Sequence, residues 1–148
     1  MEISLRWMKR SDLDVVRAIH LMAGDYRPSE FIEEEIKKSN SVCIVAEAAD
    51  RIVAFMFYEM RPTMIKMTYL AVDPTFKRKG VGSALVSKLI SKLSEKRNRL
   101  VFFVSEYNLE IQLFLRDLGF KAIQVRPRED GGGCDYKFQY ELNKMVIA

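Results

Sequence analysis

Histidine and cysteine are scarce in this chain, and each scarcity removes a class of function. A single histidine, His20, leaves no set of imidazoles from which to build a zinc site. Cys43 lies in an apolar run and Cys134 in a glycine-rich loop, with neither the paired spacing of a metal motif nor the density of a disulfide framework. Long hydrophobic runs are also missing. The longest are strand-sized, and the opening MEISLRWMKR places charges on either side of a short alternating segment, so neither a membrane span nor a secretory leader is expected. Repeats and low-complexity linkers are absent too, so residues 1–148, 49% hydrophobic, are expected to form a single domain with one core. A large excess of one charge sign is lacking as well: 24 basic residues face 20 acidic ones, for a net charge of +4. That balance suits an anionic ligand without demanding nucleic acid. The expectation is a soluble, cytoplasmic protein without membrane contact, monomeric or homodimeric.

What the chain does have is clear periodicity. Ile3, Leu5 and Trp7 alternate with Ser4 and Arg6 as a first strand with one buried face. Ser11 opens a helix with Asp12 and Asp14 in its first turn and Val15, Ile19 and Met22 on one side. His20, one step round from Ile19, reads as a partly buried helix residue. After the break at 24–28, Ser29 starts a second helix with Phe31, Ile32 and Ile36 apolar and Glu30, Glu33, Glu34 and Glu35 exposed. Residues 42–48 and 52–60 form a hairpin, and 63–72 a third consecutive strand. In that strand strict alternation places Ile65, Met67, Tyr69 and Ala71 on one face.

A helix after Gly82 carries Leu85, Val86, Leu89, Ile90 and Leu93 at helical spacing. The run LVFFV at 100–104 is apolar at every position, as expected of a parallel strand covered on both faces. Asn108 caps a helix bearing Ile111, Phe114, Leu115 and Leu118, and Gly119 stops it. Strands at 120–126 and 136–142 end the chain. The order β-α-α-β-β-β-α-β-α-β-β predicts an α/β fold. Its mixed sheet has about seven strands, antiparallel in the first half and parallel between the fourth and fifth, with helices on both faces.

The stretch LAVDPTFKRKGVGSALVSKLISKL, residues 70–93, passes from strand through a cationic glycine turn into a helix. N–H groups at a helix start lack internal partners and carry partial positive charge, so this turn favours an anion, and Lys77, Arg78 and Lys79 reinforce it. The glycines allow close backbone approach. A nucleotide P-loop requires G-x-x-x-x-G-K-S/T, which Gly80-Val81-Gly82-Ser83 does not supply. A dinucleotide fingerprint requires a third glycine where Leu85 stands, and no antiparallel strands before it.

The stretch resembles the acetyl-CoA site of the GNAT superfamily of N-acetyltransferases. That signature is an apolar strand, V-x-P, a short loop, and Gln/Arg-x-x-Gly-x-Gly/Ala opening a helix. Here Leu70-Ala71-Val72, Asp73-Pro74 and Lys77-Arg78-Lys79-Gly80-Val81-Gly82 fill it, with Lys77 in place of Gln or Arg. Asn108 and Gly119-Phe120 reproduce at the same spacing the frame N-x-x-A-I-x-L-Y-x-x-x-G-F of ribosomal-protein N-terminal acetyltransferases. The resemblance implies that acetyl-CoA is the co-substrate. Its pyrophosphate would rest on N–H groups from Arg78 through Val81, Gly82 and Ser83 to Ala84. Leu70, Ala71 and Val72 would pair with the pantetheine arm, which Asn108 would hold from the other side. The fourth and fifth strands would splay to admit it. No metal is implied.

The resemblance departs from the family at the residues that move protons. Position 115, where relatives carry a tyrosine acid, is Leu115, and position 103, where N-terminal acetyltransferases tend to carry Glu or His, is Phe103. Tyr69, Glu106 and Tyr107 are the substitutes at hand. The leading reading is therefore an N-acetyltransferase acting on a primary amine by direct attack in a ternary complex. The alternative is a non-catalytic acetyl-CoA or CoA-binding regulatory module. Nucleic-acid binding through Arg97, Arg99 and the basic turn is disfavoured, because acids interleave the cations and no stacking set is present. In the family the acceptor is shaped by the regions here at 23–35 and 126–136. Acids in the first lean towards an amine, polyamine or basic peptide, with protein N-terminus, lysine and small-molecule amine all open.

Overall fold

Seven strands join into one sheet, in the spatial order β1-β2-β3-β4-β5-β7-β6, in the computed structural model, which describes residues 1–142. The remaining residues of the 1–148 expectation lie outside the described part. In chain order the elements are β1 (Ser4–Trp7), α1 (Leu13–Ala23), α2 (Glu30–Lys37), β2 (Ser41–Ala48), β3 (Arg51–Met60), β4 (Met64–Val72), α3 (Val81–Ile90), β5 (Arg99–Ser105), α4 (Leu109–Asp117), β6 (Lys121–Pro127) and β7 (Cys134–Glu141). β1 to β4 pair antiparallel, β4 and β5 pair parallel across the α3 crossover, and β5, β7 and β6 are antiparallel again. No helix among the described residues is long and apolar enough to cross a membrane.

Each face of the sheet has its own core. Val16 and Ile19 of α1 and Ile32 of α2 pack with Val45, Phe55, Phe57, Tyr69 and Ala71 on one side. Leu85, Val86 and Leu89 of α3 and Leu115 of α4 pack with Met56, Ile65, Met67 and Phe138 on the other. The expected mixed α/β sheet with helices on both faces is the one observed.

Three helix and strand faces differ from the pattern read in the sequence. α1 buries Val16, Ile19 and His20, while Val15 and Met22 are exposed, because the first turn is a short 3-10 segment at Arg10–Asp12 and the helix proper is rotated accordingly. α2 buries Ile32 and Glu35, and Ile36 is turned out. Trp7, expected on the buried face of β1, is 72% exposed at the end of a four-residue edge strand.

A further correction matters most. Phe57 opposes Tyr69 but Tyr58 opposes Met67, so Thr68 is an extra residue in β4 and its alternation slips there. Ile65 and Met67 face α3, whereas Tyr69 and Ala71 face α1 and α2. Just past the same point β4 and β5 separate: their pairing runs from Met64 opposite Arg99 to Met67 opposite Phe102 and ends. Residues 68–72 thus have β3 on one side and no strand on the other.

Arg6 of β1 fixes the start of α1. Its guanidinium donates to both Asp12 carboxylate oxygens, at 2.8 and 3.0 Å, and to Glu47 of β2 at 2.8 Å, while the Lys9 N–H donates to Asp12 at 2.7 Å. The hydrogen bonds from Arg6 hold the Asp12 carboxyl below the usual carboxylate range. Asp12→Asn is expected to cost about 1.5–3 kcal/mol in denaturant unfolding at pH 7. A depressed carboxyl stabilises above its unfolded pKa of about 3.9 and loses that contribution as pH falls through the folded value. The stability gap between the parent and the variant therefore closes on acidification below about pH 4.

Candidate active site

The turn between β4 and α3 is wound to leave amides free. The Asp73 carboxylate accepts from Thr75 N–H at 3.0 Å and from its hydroxyl at 2.9 Å, closing the 3-10 turn Pro74–Phe76. Arg78 then adopts φ +61°, the left-handed region that a side chain resists, and Gly80 follows at φ +83° as the residue before α3. The first helical bond runs from Ala84 N–H to the Gly80 carbonyl. Among the described residues, no protein acceptor takes the N–H groups of residues 78–83. Two left-handed residues, Arg78 and Gly80, on either side of Lys79 and leading into a helix N-terminus, leave a run of free donors suited to an anion. Lys77 is tied to Glu110 of α4 at 2.7 Å, and the Lys79 ammonium stands 5.3 Å from the Phe76 ring centroid.

Gly82 lets α4 and β4 close on the start of α3. A Cβ at this position would stand 3.2 Å from Phe114 Cζ and 3.9 Å from Val72 Cγ2. Asn108 caps α4, its side-chain oxygen accepting from Ile111 N–H at 3.2 Å. Gln112 donates to the carbonyls of Ser105 and Glu106 at 3.0 Å each, tying the end of β5 to α4. A trough therefore runs from the β4–β5 separation to the α3 N-terminus, with the Leu70, Ala71 and Val72 backbone along one wall.

At the apex of the separation, on the α1 and α2 face, lies a network that periodicity did not reveal. His20, 1% exposed, has Nδ1 2.7 Å from the Tyr69 hydroxyl and Nε2 2.9 Å from the Arg27 carbonyl. A carbonyl only accepts, so a neutral His20 carries its proton on Nε2 and takes the Tyr69 O–H at Nδ1. Burial pushes the Tyr69 phenol well above its ordinary pKa. Arg27 forks onto Asp25 at 2.8 and 2.9 Å, donates to the Thr68 carbonyl at 3.4 Å, and stacks 4.2 Å from the Phe31 centroid and 4.4 Å from that of Tyr69. Desolvation opposes charge on both partners, yet Arg27 holds the Asp25 carboxyl below its usual range. Glu35, 2% exposed, accepts from Lys38 at 2.5 Å and from the Ser41 and Thr68 hydroxyls at 3.4 Å.

The acids between α1 and α2 are therefore largely engaged: Asp25 by Arg27, Glu33 by Arg17 and Glu35 by Lys38. Glu30 and Glu34 remain exposed, on the side of α2 opposite Ile32.

The remaining proton-transfer candidates stand on the β5 side of the separation, with no hydrogen bond to Tyr69. Tyr69 lies two residues beyond the last β4–β5 pair. Glu106 and Tyr107 lie four and five residues beyond it on the other side, in the turn that follows β5. The Tyr107 phenol is raised by its hydrogen bond to Glu106, and both side chains abut Gly133, where a Cβ would meet them at 2.8–2.9 Å. The Glu106 N–H donates to the Cys134 carbonyl at 2.9 Å. Leu115, at the tyrosine position of the family frame, is a core residue with no exposure. The signal for His20 and Arg27 is long-range, across 49 and 41 residues, which no local pattern encodes.

A family model described as the acetyltransferase (GNAT) family matches residues 10–120. No curated protein matches the chain. Among solved structures, the ribosomal-protein-S18-alanine N-acetyltransferase from Escherichia coli superposes with a TM-score of 0.81 at 19% identity, covering 99% of this chain and all of that one. Ard1 from Thermoplasma volcanium gives 0.82 at 22% identity, covering 97% of this chain and all of its own. A GNAT family acetyltransferase from Elizabethkingia anophelis, solved with acetyl-CoA bound, gives 0.73 at 16% identity over 95% of this chain and 98% of its own.

Nothing lies within 4 Å of a Cβ built on Gly80, so its substitution tests the backbone alone. Gly80→Ala is expected to destabilise by about 1–2 kcal/mol through its left-handed φ, whereas Gly80→Asn costs less. Thermal melts should show a drop of a few degrees for alanine and a smaller one for asparagine; equal drops would argue against the backbone origin.

Proposed function

Because the chain belongs to the GNAT family of acetyltransferases, we propose that it transfers the acetyl group of acetyl-CoA to a primary amine by direct attack within a ternary complex. The observation that carries this reading is the trough itself: a β4 edge at residues 68–72 that no strand among the described residues pairs, leading into a turn whose N–H groups at 78–83 have no acceptor among them. Those features fit a long, amide-bearing, doubly phosphorylated ligand. The N–H groups of residues 78–83 hold the pyrophosphate, that of Ala84 being taken by the Gly80 carbonyl, and Leu70, Ala71 and Val72 add the pantetheine arm as a strand. The Asn108 oxygen is used as a cap, so its side-chain NH₂ is the group left to face the arm. When bound, acetyl-CoA supplies an acetyl group activated as a thioester.

Tyr69 is the residue proposed to handle the acceptor's proton. Its O–H is spent on His20 Nδ1, which leaves the phenol oxygen's lone pairs free to take a hydrogen bond from the amine. As the amine nitrogen bonds to the thioester carbon and the C–S bond breaks, CoA leaves as its thiolate; the amine's proton passes to the Tyr69 oxygen while the original phenol proton moves to His20 Nδ1, leaving an imidazolium whose charge balances the thiolate. Tyr69 thus never becomes a phenolate, in keeping with its raised pKa. The Arg27 carbonyl and the Arg27 stack hold this pair in place. Positioning of the two reactants contributes the larger share of the acceleration, since one general base is worth about 10² to 10⁴ in rate.

Isothermal titration with acetyl-CoA, together with thiol-release assays over an amine and peptide panel, tests the proposal. Binding should be lost in Gly82→Trp. Tyr69→Phe should lower kcat about 10²-fold with acetyl-CoA affinity intact, while Glu106→Gln and Tyr107→Phe stay within a few-fold. A protein that does not bind acetyl-CoA, and is indifferent to Gly82→Trp, contradicts it. Binding without turnover of any amine would make the chain a CoA-binding regulatory module.

A further inference from the structure

The acceptor side of the trough carries an unbalanced charge. Phe103 is the first β5 residue beyond the β4–β5 pairing. Its ring is flanked by two cations, the Arg126 guanidinium 3.9 Å from the centroid and the Lys66 ammonium 5.6 Å from it. Both are held where β4 and β5 part, by the quadrupole of a ring that cannot neutralise them. From this point the sheet continues as an open face. α1 and α2 pack on β2, β3 and β4, and the cores they form include no residue of β5, β6 or β7.

Register identifies what that face presents. Lys66 shares it with Arg99, Val101 and Phe103, which oppose Glu141, Gln139 and Lys137, and β6 adds Lys121 and Arg126. Five cations thus stand against two carboxylates, Asp135 and Glu141. Asp135 lies 4.0 Å from Arg126, and Arg99 donates to the neutral Thr63 hydroxyl. Among the described residues Lys66, Lys121 and Lys137 make no ion pair. At the rim Arg128, paired with Asp130, stacks 4.7 Å from the Tyr26 ring, so the β6–β7 and α1–α2 loops meet over the apex.

We propose that the acceptor is a polypeptide whose free amino terminus enters at this apex and whose next residues are acidic, lying across the open β5-β7-β6 face. This rests on the acetyl-transfer reading above and runs opposite to the basic acceptor that the acids at 23–35 favoured. Those acids are engaged or face away from the sheet, whereas on the open face five cations meet only two carboxylates. Strands about 4.8 Å apart make the distance from β4 to β6 roughly 14 Å, the length of about four extended residues. That span exceeds a free amino acid and matches a short N-terminal segment.

The test compares peptides of one length with free amino termini, carrying aspartate and glutamate or else lysine at positions two to four, alongside free aspartate and glutamate. With saturating acetyl-CoA, kcat/KM for the acidic peptides should exceed that for the basic ones by about tenfold or more and fall as salt rises. The double variant Lys66→Glu, Arg126→Glu should reverse the order while leaving acetyl-CoA titration unchanged. Fluorescence anisotropy of a C-terminally labelled acidic peptide provides a second readout that does not need turnover and should weaken in the same variant. Equal or inverted preference, insensitivity to the charge reversal, or free amino acids acting as well as peptides would overturn the proposal. Those results leave acetyl transfer standing; failure of acetyl-CoA to bind removes acetyl transfer instead, and anisotropy then still decides whether acidic peptides bind this face.

Discussion

Residues 68–72 of β4 carry backbone groups that the protein pairs on one side only. β3 takes the inner side throughout, but β5 departs after Met67 and Phe102, and every second N–H and C=O beyond that point faces the trough. Buried backbone groups need partners, so this edge is a standing demand for a ligand that can act as a strand. The extra residue at Thr68 belongs to the same constraint. It turns Tyr69 onto the α1 and α2 face, where a continuing alternation would have pointed it at α3. One bulge thereby separates two roles on adjacent residues: the edge presents unpaired backbone, and the Tyr69 side chain joins His20 on the α1 and α2 face.

An opened sheet has to be braced, and the bracing is polar. Arg27 reaches the Thr68 carbonyl while stacking on Tyr69 and Phe31, and Asp25 neutralises it. His20 joins Tyr69 to the Arg27 carbonyl, and Glu35 links α2 to Thr68 and to Ser41 at the start of β2. Such a network is rigid when every member is satisfied and costly when one is not. No buried side-chain nitrogen or oxygen among the described residues lacks a partner. On the other side of the trough Gln112, the Asn108 cap and the close approach of Phe114 to Gly82 set α4 against the end of β5 and the start of α3.

Much of this is legible in the chain because it is local. The period-two runs gave the strands, Asn108 and Gly119 the limits of α4, and residues 70–84 the strand, donor turn and helix in order. Even the parallel β4–β5 pair follows from the helix between them and the apolar run LVFFV. What escaped is what depends on register between distant segments. A bulge is a count of residues against a partner strand, so strict alternation put Tyr69 on the wrong face. Glu35 read as exposed because a carboxylate among glutamates carries no sign of the threonine 33 residues away whose hydroxyl donates to it. His20 read as a bland helix residue for the same reason, its partner lying across the sheet.

The central claim is that the β4 edge and the following turn take up acetyl-CoA together, as a strand and an anion cradle. Amide hydrogen exchange with and without acetyl-CoA measures this directly. Protection concentrated in residues 69–72 and 78–83, with β1 and β6 unchanged, is the predicted result. Absence of protection in those two segments under saturating acetyl-CoA, or protection elsewhere without it there, would contradict the account.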